Sequence, residues 1–171
     1  MFHSRPSVVP IALCVALCLL LGSCAAFSKA DPADLLEQMC RSQVSLPAGK
    51  CYVRSAPQDS DGRLTDDLLA VTFGNGSLPP ELDEVSDAAV FFSYAHASEL
   101  AVFRCKTTDG TDAVAAMCLR RLDFLKSHRT EGDPLADQCL DRARVTVMGR
   151  WVILTVTSDP DAALRAFRRA L

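Results

Sequence analysis

The sequence lacks a charge excess of either sign. Its 18 Lys and Arg residues face 21 Asp and Glu residues, for a formal net charge of -3, and both signs are interspersed after Arg41. This balance offers no basic patch for nucleic acid and no acidic tail, so charge alone indicates no partner. Aromatic residues are also scarce, at 6%, but an apolar share of 49% is enough to build the core of one ordinary domain.

Motifs of common hydrolases and metal sites are missing as well. Beyond the N-terminal region the chain has two histidines, His96 and His128, far apart and in no H-E-x-x-H arrangement, and it has no G-x-S-x-G motif. The stretch Asp59-Ser60-Asp61-Gly62 has the wrong register for a calcium loop and is typical of a solvated turn. The sequence therefore predicts no catalytic constellation, no metal and no cofactor.

Long hydrophobic runs are absent too. The longest, Ile11 to Leu21, has eleven residues, whereas a helix needs about 20 to cross a bilayer. The run follows a short head that carries Arg5 and precedes the small residues Gly22 and Ser23. These are the three parts of an export signal.

Leu21-Gly22-Ser23-Cys24 resembles the lipobox of bacterial lipoproteins, in which a small residue precedes a cysteine that is acylated before cleavage. The resemblance implies that residues 1–23 are a cleaved signal peptide, with cleavage between Ser23 and Cys24, and that Cys24 carries the lipid. Two acyl chains suffice for stable anchoring. The expected location is therefore the extracytoplasmic face of the cell membrane, with the membrane as a partner. The alternative is a secreted protein, cut one or two residues later.

Five cysteines remain beyond Cys24, an odd number that cannot be fully paired: Cys40, Cys51, Cys105, Cys118 and Cys139. No C-x-x-C or short Cys/His spacing supports a zinc or redox motif. We expect the five to act mainly as small apolar residues. On apolar faces, Cys105 and Cys118 should have raised thiol pKa values, the wrong direction for a nucleophile. Whether any of the five pair is left open.

Cap residues and prolines predict helix starts at Asp31-Pro32, Thr65 and Asp133-Pro134, and Gly149-Arg150 predicts a two-residue turn between two strands.

Turn and cap signals also divide the processed chain into segments. Residues 24–30 form a tether, residues 31–63 an N-terminal helix followed by irregular structure or an edge strand, and residues 64–171 an α+β domain. In that domain two strand–strand–helix units predict a four-stranded antiparallel sheet with both helices on one side, a two-layer sandwich. The N-terminal helix, with Leu35, Leu36 and Met39 on one stripe, is expected to cover the second face.

Several motifs in this domain carry a family resemblance. They are Asp87-Ala88-Ala89-Val90, Glu99 to Arg104, the helix bearing Arg121, Gly149 to Leu154, and Ser158-Asp159. In combination they resemble a family of small secreted or lipid-anchored bacterial proteins, catalogued as a domain of unknown function and common in Gram-positive anaerobes. The resemblance covers roughly residues 64–171. It implies an exported envelope protein and brings no activity or catalytic residues with it.

Glu99 is the one acidic residue that opens a predicted strand within these motifs. A pair of Glu99 with Arg121 or Arg120 would serve to bind a polar ligand or a partner's backbone. The alternative is a surface ion pair at a strand end, worth under about 1 kcal/mol.

The leading functional hypothesis is a non-enzymatic, lipid-anchored envelope protein that binds an unknown partner, either a protein or a surface component beside the membrane. The alternatives are a small-ligand or metal-binding accessory lipoprotein, which a convergent polar pocket would favour, and an envelope enzyme.

Overall fold

The computed structural model describes residues 30–94, 97–129 and 132–171. The signal peptide, its cleavage at Ser23 and the lipidation of Cys24 lie outside these residues, as does His96. The stretch Asp31–Ala170 forms one compact unit. Within the described ranges, no helix combines the length and apolar character needed to cross a membrane.

The described chain alternates short helices with the strands of a single sheet. In chain order the elements are α1 (Pro32–Arg41), β1 (Gly49–Val53), α2 (Asp66–Phe73), a 3-10 helix (Pro80–Glu84), β2 (Val85–Ser93), β3 (Glu99–Cys105), α3 (Thr111–Ser127), α4 (Pro134–Asp141), β4 (Arg144–Met148), β5 (Trp151–Val156) and α5 (Pro160–Ala170). All strand pairs are antiparallel, in the order β1-β2-β3-β5-β4, so β3 is central. The predicted α+β class is confirmed.

The sheet has five strands, so the prediction of four strands is wrong. The fifth is β1, which pairs along the outer edge of β2 with Cys51 opposite Phe91. Its first residue, Gly49, packs so closely that a Cβ there would lie 2.2 Å from the carbonyl oxygen of Phe92. Only glycine permits this approach of two backbones. The weak β pattern of the segment had left irregular structure or an edge strand open.

Helices cover both faces of the sheet, so the two-layer arrangement with both helices on one side is also wrong. Helices α2, α3 and α4 pack on the face that includes Ala101 and Phe103, whereas α1 and α5 lie side by side on the other. A five-stranded sheet is roughly 24 Å wide and a helix about 10 Å, so one helix cannot cover a face. On the second face, α5 therefore joins α1, and its Phe167 meets Trp151 edge to face at 5.9 Å between ring centres.

The predicted helix starts at Asp31, Thr65 and Asp133 are confirmed, and each of these residues caps its helix. Asp31 Oδ1 accepts a hydrogen bond from the Ala33 N–H at 2.9 Å, and Thr65 Oγ1 accepts one from the Leu68 N–H at 3.2 Å. Asp133 likewise caps α4. In each case a short side-chain acceptor satisfies an N–H that the first helical turn leaves without a partner.

Candidate functional site

Glu99 lies at the start of the central strand, and its side chain is only 3% exposed. Its backbone is flanked by Phe92 of β2 and by Val156 of β5. Alternation along β3 places its side chain on the face of Ala101 and Phe103, beneath α3. The interpretation of Glu99 as a surface residue at a strand end is therefore wrong, because strands lie on both sides of it and a helix lies over it.

Arg121 of α3 contacts Glu99 from above. Its Nε and Nη2 atoms donate hydrogen bonds to Glu99 Oε2 at 3.1 and 2.9 Å. The arginine side chain is 16% exposed, and its guanidinium lies 5.7 Å from the centre of the Phe124 ring. The other candidate, Arg120, points to a different place and pairs with Glu81 at 2.6 Å. Of the two arginines, Arg121 is thus the one that contacts Glu99.

Both hydrogen bonds from Arg121 go to the same oxygen of Glu99. The second oxygen, Oε1, is buried and has no hydrogen-bond partner among the described residues. Beside the carboxyl group lies a cavity of about 60 Å³, here called the Glu99 cavity. Its lining residues are Phe92, Ser93, Ala97, Ser98, Glu99, Arg121 and Leu125. A buried acceptor without a donor costs about 1–3 kcal/mol, and more when it is charged. The carboxyl group is therefore placed to accept a hydrogen bond from a group that enters this cavity.

A larger depression of about 350 Å³, here called the outer cleft, adjoins the Glu99 cavity. The two share four lining residues: Ser93, Ala97, Arg121 and Leu125. The outer cleft adds Tyr94, Phe124, His128, Arg129, Asp133 and Ala136. The His128 ring stacks on Phe124 with centres 4.1 Å apart, and Arg129 lies 3.3 Å from Asp137. Aromatic surface and charges of both signs thus surround the entrance to a buried carboxyl group.

The environment of Glu99 changes its acidity. Burial raises the pKa of the Glu99 carboxyl above its ordinary value, and the positive charge and hydrogen bonds of Arg121 only partly oppose this shift. A second donor at Oε1, above all a cationic one, would stabilise the carboxylate and lower the pKa. The protonation state of Glu99 therefore depends on what occupies the cavity.

The buried cysteines near this site have the raised pKa values that the sequence predicted. Burial raises the pKa of the Cys105 thiol to about 11 and that of Cys118 well above its ordinary value. The nearby negative charge of Glu99 also raises the pKa of the Cys118 thiol. Both thiols are therefore protonated at neutral pH, which makes them poor nucleophiles.

The other depressions described below do not combine a cavity with a fully buried side chain that has an unpartnered polar atom. A depression of about 660 Å³ between α1 and α5 is lined by Asp34, Gln38, Arg41, Ser42, Ala166, Arg169 and Ala170, none of which has a buried polar atom without a partner. Three other described side chains do have such an atom, but Glu81, Arg54 and Arg144 are 18%, 29% and 40% exposed, so water reaches other atoms of these side chains. Only Glu99 among these four is fully enclosed.

The sequence predicted that Glu99 pairs with an arginine, but it did not predict that the pair is buried beside a cavity. Arg121 follows Cys118 by three residues and precedes Leu125 by four, so it lies on the same stripe of α3 as the buried residues. An arginine on an apolar stripe was the available signal of a buried partner. The Glu99 cavity depends on the loop before β3 and on Phe92 of β2, and no local pattern indicates that they meet.

Across the described ranges, no group of three His, Cys, Asp or Glu residues is arranged to hold a metal ion. Comparison with known proteins gave no match, whether against protein-family models, curated proteins or solved structures.

Proposed function

We propose that this chain is a lipid-anchored accessory protein of the cell envelope that binds a small polar ligand in the Glu99 cavity and the outer cleft. The observation that carries the ligand part is the buried Oε1 of Glu99, which has no partner among the described residues and belongs to a side chain that lines a cavity. A convergent polar pocket is the feature that distinguishes a small-ligand protein from a module that binds another protein. The Glu99 site supports the former.

The chemistry of the site indicates which groups the ligand presents. Oε1 requires a hydrogen-bond donor, and a cavity of about 60 Å³ has room for an amino or hydroxyl group but not for a large substituent. Arg121 lines both the cavity and the outer cleft and favours an acceptor, such as a carboxylate, next to that donor. A small zwitterion with a primary amine and a carboxylate, as in a free amino acid, meets both demands.

The proposal predicts that small zwitterions bind and that simpler probes bind less well. Amide chemical shifts of the ¹⁵N-labelled protein would be followed by NMR during titration with free amino acids, with ethylamine and with acetate. We expect shifts at Glu99, Arg121 and Leu125 with an amino acid, smaller ones with ethylamine, and none with acetate alone. The Glu99→Gln variant, which keeps an acceptor for Arg121 but loses the charge, should bind at least about tenfold more weakly.

A matched control is available in the neighbouring pair. Glu81 also has a buried oxygen without a partner and also pairs with an arginine of α3, but its side chain is 18% exposed. Glu81→Gln should therefore leave binding unchanged. Equal weakening in both variants, or no response at Glu99 to any probe, would contradict a ligand site there.

The membrane location depends on the N-terminal sequence and has its own test. Mass spectrometry of the protein extracted from membranes should find a mature N-terminus at Cys24 that carries lipid. Cys24→Ser should remove the lipid and most of the protein from the membrane fraction, because one modified residue supplies both acyl chains. An unmodified N-terminus downstream of Cys24 would show an ordinary secretory signal instead.

A second candidate function, binding of a protein or peptide, is favoured by one observation. Tyr94 and Phe124, both of which line the outer cleft, are 71% and 43% exposed. Exposed aromatic side chains of this kind are common anchors in protein interfaces. A Tyr94→Ser variant separates the two functions, since it should weaken peptide binding more than the binding of a free amino acid, whose amino group enters the Glu99 cavity.

A further inference from the structure

Two cysteines, Cys40 on α1 and Cys51 on the edge strand β1, lie near one another at the edge of the sheet. Cys51 lies on the edge strand β1 directly opposite Phe91 of β2. Opposite residues of an antiparallel pair have side chains on the same face. Phe91 alternates with Val90 and Phe92, which pack on the side of α3, so Phe91 and Cys51 lie on the face covered by α1.

Cys40 approaches the same place from α1. It lies in the last turn of that helix, four residues after Leu36, which is buried against the sheet. Asp34, Gln38 and Arg41 of α1 line the depression against α5, so Cys40 lies on the opposite flank, toward β1. There a side-chain hydrogen bond between the two thiols shifts the pKa of both. Cys51 is exposed and Cys40 is partly exposed, and both carry free thiols. The pair is therefore accessible from solvent, and the two thiols lie close together.

We propose that Cys40 and Cys51 are a redox-active pair that forms a reversible disulfide by exchange with a soluble disulfide, and that this bond ties α1 to the edge strand. The other three described cysteines are excluded by burial, since Cys105, Cys118 and Cys139 are at most 1% exposed. One pair and three buried thiols account for the odd number of cysteines. The cysteine pair shares no residue with the Glu99 cavity or the outer cleft.

The two thiols have different parts in the exchange. The hydrogen bond from Cys40 lowers the pKa of Cys51 to about 7, although burial opposes this, and the same contact raises the pKa of Cys40. At neutral pH a substantial fraction of Cys51 is therefore thiolate, and it is the more exposed of the two. Cys51 is thus the attacking thiol and Cys40 the resolving thiol.

The reaction balances with a low-molecular-weight disulfide as oxidant. The Cys51 thiolate attacks one sulfur of that disulfide, a mixed disulfide forms, and the first small thiolate leaves and takes a proton from solvent. Cys40 then loses its proton and attacks the Cys51 sulfur, which releases the second small thiol. The two protein thiols are oxidised to one disulfide, and the external disulfide is reduced to two thiols.

Peptide mapping of the full-length protein, produced with its own N-terminus, tests the pair directly. The purified protein would be incubated with oxidised glutathione or with reduced dithiothreitol, alkylated, digested with trypsin and analysed without reduction. Cleavage after Lys29, Arg41, Lys50 and Arg54 places the two cysteines on separate peptides, 30–41 and 51–54. We expect these two peptides joined after oxidation and separate after reduction.

Variants and stability distinguish the assigned roles. Cys40→Ser should accumulate glutathione on Cys51, because the resolving thiol is missing, whereas Cys51→Ser should leave Cys40 largely unmodified. Cys139→Ser should form the disulfide normally. In the unmutated protein oxidation should raise the Tm by roughly 5–10 °C, since the bond closes a short loop. Separately alkylated peptides after oxidation, or a cross-link through Cys105, Cys118 or Cys139, would overturn the proposal, and this result needs no variant to fold.

Discussion

Replacing Arg121 with alanine should destabilise the protein by about 3–5 kcal/mol at pH 7. The variant leaves the carboxylate of Glu99, which is 3% exposed, without the arginine that pairs with it. An uncompensated buried charge is among the most costly changes that a single substitution can make. Urea unfolding followed by circular dichroism at pH 7 measures the loss.

The cost of Arg121→Ala should depend on pH in a direction set by Glu99. The pKa of this carboxyl is already raised by burial, and it rises further when the arginine is removed. The folded state then holds the proton more tightly than the unfolded chain, so rising pH favours unfolding. Relative to the unmutated protein, the penalty should be small at pH 4 and grow as the pH rises above the raised Glu99 pKa of that protein, since only there does the variant hold more protons.

Two comparisons separate this effect from loss of an ordinary ion pair. Arg120→Ala removes the neighbouring arginine of α3, which is 54% exposed, and should cost under about 1 kcal/mol. The double variant Arg121→Ala with Glu99→Gln should recover part of the stability at pH 7, because it removes the buried charge. If Arg121→Ala costs no more than Arg120→Ala, the pair is not buried in solution.

The second large effect is expected for Leu36→Ala, with a loss of about 2–5 kcal/mol. Leu36 is 1% exposed and lies on α1, which packs against β2 and β3 on the face opposite α3. Shortening its side chain leaves a cavity between the helix and the sheet. The same urea unfolding experiment measures the change in the free energy of unfolding.

Leu119→Ala provides the matched control. This leucine also lies on a helix, α3, but is 49% exposed, so its truncation removes little buried area and should cost under about 1 kcal/mol. Equal losses for both variants would contradict the assignment of α1 to the core of the fold.

The sequence predicted those parts of the fold that local chemistry determines. A helix start at Asp31-Pro32 needs only an acceptor side chain and a proline with a fixed φ angle, and both act within one turn. The hairpin at Gly149 likewise depends on one residue with positive φ, observed at 57°. Such features are independent of the rest of the chain, which is why they could be recognised in isolation.

The sequence could not predict on which face each helix packs. Periodicity shows that α3 and α5 each have an apolar stripe, but it does not specify which side of the sheet that stripe covers. The choice depends on the five-stranded width of the sheet, and β1 had too weak a pattern to be counted with certainty. The expected surface position of Glu99 rested on its place at a strand end, whereas the observed order places β3 in the centre of the sheet.

In the proposed function, Glu99 is a buried carboxyl group whose pKa responds to a bound ligand. The most direct measurement is the pKa of Glu99, read from its side-chain ¹³C carboxyl shift by NMR titration with and without an amino acid probe. We expect a value above the ordinary Glu value of about 4.3 in the free protein and a lower value in the presence of the probe, because an ammonium group at Oε1 stabilises the carboxylate. An ordinary pKa that is the same in both titrations would contradict both the burial of Glu99 and its role in binding.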